Sequence, residues 1–410
     1  MIARRWRWRS LASVCVVATA LVACGDRKQR ADRGPPVRPE IAAIDAAVAR
    51  GTAFLVGRQE SDGAVRSPTY AAFRDGYALT GLAAMPLGMA GSPAFARASD
   101  FLVTMIDDGG ELRADVAYPT YAAALAVLVL NQPGNERHRG VRDALVAELR
   151  ARQLGPENGW TEADASFGGW GYYARIPARP QGVIHDDMLS SNLSATLLVV
   201  GALTLSGVPA SDPALVRARG FVERCQNRAA PCPAACPTDG GFFFSPAVPD
   251  ANKAGVVAWN GHDLFRSYGS MTADGLRALV RLGGDPARIT GATNWLEHHF
   301  TAEQNPGEFA PGADVRRASA YYYWTWTAAH ALRAIGKPEL ATSNGTVAWA
   351  PVLAKALLAR QRPDGSWKNE TTEMREDDPV VATSFAVAAL LVCRGAMSGE
   401  YRSHAGSLVP

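Results

Sequence analysis

The chain has 410 residues, 48% of them hydrophobic, and a formal net charge of +3. That length and composition allow one large core or two ordinary ones. Four arginines of the charge, Arg4, Arg5, Arg7 and Arg9, fall in the first 23 residues, which hold no acid, so residues 24–410 carry −1. A chain so balanced lacks the basic footprint that phosphate backbones need, which argues against a nucleic-acid partner.

After these arginines comes an uncharged apolar run over 11–23, the length of a signal h-region and too short to span a bilayer. It ends in Leu21-Val22-Ala23-Cys24, which resembles the lipobox of bacterial lipoproteins. The resemblance implies cleavage before Cys24, its lipidation and a place in the cell envelope, on the periplasmic or outer-membrane face. Residues 1–23 are then a signal peptide and 24–40, rich in charge, Pro and Gly, a flexible tether. In an oxidising compartment Cys225, Cys232 and Cys236 are candidates for one disulfide, while Cys393 sits in an apolar helix and is expected to be packed. Their spacing brings no histidine pair with it, so neither a metal site nor a cofactor is expected.

From residue 41 to about 400 the chain repeats itself. Arg50-Gly51-Thr52-Ala53-Phe54-Leu55 leads to Gln59 and Gly63, and Arg97-Ala98 to Phe101-Leu102, Ile106 and Gly110. Arg217-Ala218 precedes Phe221-Val222 and Gln226, and Gly291-Ala292 precedes Trp295-Leu296 and Phe300. A worn copy ends at Gln153 with Gly159-Trp160, and the last runs Gln361-Arg362-Pro363-Asp364-Gly365-Ser366-Trp367. Anchors 59, 106 and 153 are 47 residues apart, a period that marks a repeat architecture.

Each anchor closes an amphipathic helix, as over 141–153, where Val141, Leu145, Val146 and Leu149 share one face. A helix apolar nearly all round then follows, over 118–130, 192–205, 271–282, 320–335 and 380–392. A helix without a polar face must be covered on every side. The alternation therefore predicts an all-α fold, an (α/α)6 toroid of about six hairpins with amphipathic helices outside and apolar ones inside. Asp75, Ser270 and Asp378 stand where inner helices should begin, and Pro119 and Pro379 suit their first turns.

The pattern of basic residue, small residue, aromatic, aliphatic, Gln, Gly and Trp resembles the QW repeat of squalene-hopene cyclases and their relatives in the terpenoid cyclase and protein prenyltransferase superfamily. Asp239–Phe244, Tyr268-Gly269-Ser270-Met271-Thr272 and 378–385 look like bacterial proteins known only for containing such repeats. In that family the Gln caps a helix end and stacks on the Trp. A class II cyclase protonates an alkene with an Asp-x-Asp-Asp acid; here Arg375-Glu376-Asp377-Asp378 keeps only the last two acids of that pattern. Arg375 should also lower the pKa of a neighbouring carboxylate, the wrong direction for a proton donor. The zinc ligands of a prenyltransferase cannot be assembled.

Two acid clusters remain as candidate catalytic groups, Asp187 beside His185, and Asp377 with Asp378; each position equally suits helix capping. Long insertions over 155–187 and 227–270 are rich in aromatics and read as lids or binding loops. With the 321–326 helix they supply candidate cavity residues, Tyr322, Trp326, Phe243 and Trp170. Three functions follow. The first is an exported lipoprotein, attached to the membrane through Cys24, that binds a hydrophobic or isoprenoid ligand or a partner. The second is an isoprenoid- or lipid-modifying enzyme, and the third an extracytoplasmic carbohydrate-active enzyme.

Overall fold

The computed structural model describes residues 39–400 except 183, 185, 228–237, 260, 261 and 344; of Trp259, His262 and Asp263 it describes the backbone alone. Cys24, Cys232, Cys236 and His185 therefore lie outside the described residues.

Thirteen α-helices fill the described chain. Six form an inner ring: α2 (Tyr77–Met89), α4 (Pro119–Leu130), α6 (Leu193–Leu205), α8 (Gly269–Leu282), α11 (Tyr321–Ala334) and α13 (Pro379–Ser398). Each packs on the next, and α13 returns to α2, so the ring is closed. Six more, α1 (Pro39–Val56), α3 (Ala94–Val103), α5 (Arg139–Ala151), α7 (Pro213–Arg224), α9 (Pro286–His299) and α12 (Trp349–Ala359), pack against its outside. Between α9 and α11 lies the short α10 (Asp314–Ser319). The layering follows from side chains: eleven of thirteen residues in α6 are buried, against Leu145 and Leu149 alone in α5. Helix α13 is long and apolar enough to cross a membrane, yet most of it is covered by protein.

Two hairpins depart from a purely helical reading. Strands β1 (Val256–Trp259) and β2 (His262–Phe265) lie in the second insertion, and β3 (Glu339–Thr342) and β4 (Gly345–Ala348) join α11 to α12. Four residues each, they are too short to show a sustained alternation in sequence. The other insertion builds a small satellite core from Leu154, Trp160, Phe167 and Leu189.

The repeat is a clamp between successive outer helices. The amide of Gln59 donates to the carbonyls of Gly63 and Ala94, at 3.0 and 3.1 Å. Gln153 does the same to Gly168 and Ala214, Gln226 to Gly240 and Arg288, and Gln361 to Gly365 and Ala47. Each Gln thus ties its own turn to the next outer helix, and Gln361 ties the last helix to the first across 314 residues. Three residues beyond each clamped carbonyl stands Arg97, Arg217, Gly291 or Arg50, whose backbone meets the repeat glycine. The glycines have positive φ (Gly63 +91°, Gly168 +85°, Gly240 +78°, Gly365 +86°), and a Cβ on Gly365 would stand 2.6 Å from the Arg50 carbonyl oxygen. The side chains of Arg50 and Arg217 donate back to the Gln361 and Gln153 Oε1 atoms, which accounts for the basic residue of the motif.

Two residues after each glycine, a backbone N–H is held by an inner-helix threonine. Val65 donates to Thr80 Oγ1, Trp170 to Thr196, Phe242 to Thr272 and Trp367 to Thr383, at 2.7–3.1 Å. The Trp of the third copy is therefore Trp170, not Trp160, because eleven inserted residues separate Gln153 from its turn. Where the anchor is Ile106 or Phe300, charges replace the clamp: Arg137 and His138 meet Asp100, and Lys337 meets Glu297 at 2.7 Å.

Of the finer sequence expectations, those on Cys225 and Ser270 are corrected and those on Cys393 and Asp378 hold. Cys225 is a free, fully buried thiol at the end of α7, so it joins no disulfide; Cys393 is buried and free as well. Ser270 lies inside the first turn of α8, where its N–H donates to Asn305 Oδ1, so the cap comes from another loop. Asp378 caps α13, accepting from the Val380 N–H at 2.9 Å.

Replacing Gly365 by Ala combines left-handed strain with a clash against Arg50 and is expected to cost roughly 2–5 kcal/mol. Gly134→Ala, at φ +92° with nothing within 4 Å, should cost only about 1–2 kcal/mol. Denaturant unfolding of the two variants checks the difference; equal losses would mean that the clamp does not hold the ring.

Candidate functional site at the N-terminal rim of the inner helices

Inner helices of one sense bring their N-termini to a single rim, and hydrogen bonds tie them together there. Asp75, before α2, accepts from the Ala117 N–H before α4 at 2.7 Å. Ser67 donates to the α13 cap Asp378 at 2.5 Å, and Ser194 on α6 meets Tyr323 on α11 at 2.9 Å. The rim thus collects the positive ends of helix dipoles.

A cavity of about 440 Å³ opens in this rim. Tyr172, Phe244, Tyr268, Met188, Met271 and Met374 supply much of its apolar wall, while Ser190, Ser191, Ser194, Lys253 and Arg316 supply polar groups. Asp187 and Asp250 are exposed at the mouth, and Glu373 lies 4.0 Å from Arg316. A larger groove of about 700 Å³ runs along the outer side of the ring by Tyr321, Tyr322 and Arg360. Its charges are largely satisfied within the fold, as by Arg360 on Glu303 at 2.8 Å, so the rim cavity is the better candidate.

Below the cavity floor lies a buried acid that the sequence reading did not single out. Asp274, inside α8, is wholly buried and accepts from Tyr323 Oη at 2.7 Å and Thr327 Oγ1 at 2.5 Å. Arg277 stands 3.9 Å away. Burial pushes the carboxyl up to about 6, against the pull of Arg277 and the two hydroxyls. Through Tyr323 and Ser194 this acid connects to the cavity. An Asp within a run otherwise free of acids, 269–282, was the available signal.

The acids 376–378 serve two different helices and one loop. Glu376, fully buried, accepts from the N–H groups of Tyr322 and Tyr323 at 3.0 and 2.7 Å and so caps α11 from outside. Burial pushes it up to about 7 despite those bonds. The expected lowering by Arg375 is not seen at this neighbour, because Arg375 turns away onto the rings of Tyr70, Phe73 and Tyr118 at 5.1–5.4 Å. Asp377 accepts from Tyr70 Oη at 2.5 Å, and both Asp378 oxygens are taken by Ser67 and Val380. Arg375 and Tyr118 are the described non-glycine residues with positive φ, and they bond each other at 3.1 Å.

The candidate cavity residues do not converge. Tyr322 faces the outer groove, and Trp326 borders a space of about 10 Å³ deep in the ring, enough for one water at most. Phe243 stacks on Phe265 at 4.3 Å, and Trp170, wholly buried, bonds the Leu149 carbonyl as part of the repeat. For Tyr322 and Phe243 the next residue along the chain, Tyr323 and Phe244, lines the rim cavity instead. Of the candidate catalytic acids Asp187, Asp377 and Asp378, only Asp187 reaches it.

No protein-family model matches the chain, and a comparison with curated proteins finds no match. Solved structures do resemble it. The type II terpene cyclase MstE from Scytonema, in complex with geranylgeranyl dihydroxybenzoate, superposes with a TM-score of 0.53 at 14% identity, over 88% of this chain and 100% of that one. A protein from Actinoplanes gives 0.52 at 18% identity, over 85% and 99%. A glycoside hydrolase family 76 mannosidase from Bacteroides thetaiotaomicron gives 0.50 at 11% identity, over 88% and 99%. At these identities the likeness establishes the α/α toroid fold, which cyclases and glycosidases share, and the activity has to be argued from the site.

Asp274 makes a pH prediction with a definite sign. Its folded carboxyl holds a proton more tightly than an unfolded one at 3.8, so its contribution to stability is full below about pH 4 and is lost as pH rises through about 6. Between pH 4 and 7 the stability of the wild type relative to Asp274→Asn should therefore fall, by about 1–3 kcal/mol. Urea unfolding at several pH values measures it, and a difference that rises with pH would reverse the assignment.

Proposed function

We propose that this chain is a membrane-tethered ligand-binding toroid of the cell envelope, whose rim cavity takes an amphipathic lipid of isoprenoid or similar kind. The observation that carries the proposal is the composition of that one cavity. Tyr172, Phe244, Tyr268, Met188, Met271 and Met374 offer an adaptable apolar surface, and Ser194 and Lys253 a polar end. A pure hydrocarbon would strand those polar groups, so the ligand carries a polar head. About 440 Å³ suits a molecule of some twenty heavy atoms.

Binding is favoured over cyclisation because both aspartates of the 375–378 segment are engaged as hydrogen-bond acceptors, leaving neither as a proton donor to the cavity. The bound ligand of MstE, a geranylgeranyl chain on a dihydroxybenzoate, has the same two-part character. A second reading rests on Asp187, Asp250 and Glu373 at the mouth, a set of carboxylates beside aromatic rings that would suit a sugar, and on the likeness to the mannosidase. Attachment through Cys24 belongs to the proposal, and it places the toroid beside a membrane that supplies such ligands.

Native mass spectrometry of the protein purified from membranes should find a lipid bound, and Ala251→Trp, which fills the cavity from its edge, should remove it. Retention of oligosaccharide in place of lipid would favour the second reading. Radiolabelled palmitate should enter the wild type and not Cys24→Ser; equal labelling would remove the tether.

A further inference from the structure

Hydrogen-bond donors at the inner end of the rim cavity lack acceptors. The ammonium of Lys253, half-buried on the cavity wall, makes no hydrogen bond or ion pair with any described residue. Tyr268 is completely buried on the same wall; its phenol oxygen faces the Lys253 backbone, and its O–H finds no acceptor. At the N-terminus of α6, the N–H groups of Leu193 and Ala195 donate to the Phe244 carbonyl and to Asn192 Oδ1, whereas that of Ser194 between them finds no acceptor among the described residues. Three donors, one of them charged, thus border one space.

The nearby acids do not answer them. Glu373 is shared with Arg316, and Asp187 and Asp250 sit exposed at the outer mouth, where water screens them. Glu376 spends its oxygens on the amides of α11. Burial, with help from Arg316, lowers the pKa of Lys253, while Glu373 and Glu376 hold it up. Unpaired buried donors are costly, and a native fold keeps them where a ligand supplies the acceptors. The acceptor must be rich in oxygen and negative, since it meets an ammonium and a helix N-terminus together.

We propose that the inner end of the cavity is an anion site for the head group of an amphiphile, a carboxylate or a phosphate monoester. Lys253 supplies the charge, and Tyr268 Oη and the Ser194 N–H supply direction. The inference rests on the reading that the cavity binds an amphiphile, and it narrows that reading to one head-group chemistry.

Calorimetry on the purified full chain with myristic acid, tetradecyl phosphate and tetradecanol separates the possibilities. The acid or the phosphate should bind about tenfold or more tightly than the alcohol, the stronger of the two naming the group. Lys253→Met should abolish that advantage, leaving the anion no tighter than the alcohol, and Tyr268→Phe should weaken the anion several-fold with unaltered melting. Equal binding of all three probes, or a preference that survives Lys253→Met, overturns the anion site and leaves the amphiphile reading standing. Binding of none overturns both.

Discussion

Everything in this molecule depends on covering helices that have no wet face. A helix such as α6, buried over eleven of its thirteen residues, cannot end a row, because an exposed flank would return apolar surface to water at about 25 cal/mol per Å². The arrangement that leaves no such flank is a closed ring with a second layer outside. Closure brings α13 against α2 and α12 beside α1, contacts between opposite ends of the chain that a solenoid would never make. The entropy lost in joining ends so far apart grows slowly with loop length, whereas the apolar area gained is that of a full helix face.

The Gln and Gly clamp gives the ring its spacing. Hydrophobic burial is indifferent to small slips, so outer helices packed by it alone could slide along their neighbours. A side-chain amide between two carbonyls, and a glycine touching the next helix's backbone, fix the offset within a few tenths of an ångström. The same clamp repeats at four seams, and at the last of them Gln361 closes the ring on Ala47 with Arg50 completing the contact.

A ring of parallel inner helices has two unlike ends, and the candidate cavity opens at the one where N–H groups point outward. Acceptors on this rim are drawn in as caps: Asp378 for α13, Glu376 for α11, Asn192 for α6, and Asn305 for α8. Segments that carry these groups cross the rim, and one of them bears Arg375 in a left-handed conformation against Tyr118, which shares it. Strain of this kind persists only where the surroundings over-determine it, here through three rings around one guanidinium. What the caps leave unmet, around Lys253 and Tyr268, defines the polar end of the cavity.

The layered toroid was legible in the sequence because helix amphipathicity is local: the i, i+3, i+4 pattern of 141–153 and its loss in 192–205 can be read from a dozen residues each. So too were the Gln anchors and the small residue beside each arginine, since they recur. The partner of each anchor was not, because an insertion moved Trp170 away from Gln153 and put the decoy Trp160 in its place. The threonines that hold each turn lie fifteen to thirty residues farther along with no fixed spacing. Only the tertiary structure could decide the cavity as well. Whether Tyr322 or Tyr323 faces it depends on a 100° step around α11, and Lys253 gains its meaning from having no partner, a property of the fold and not of any segment. Sequence alone determined which helices must be covered; the structure decided which polar groups the covering left unmet, because that depends on contacts between residues far apart in the chain.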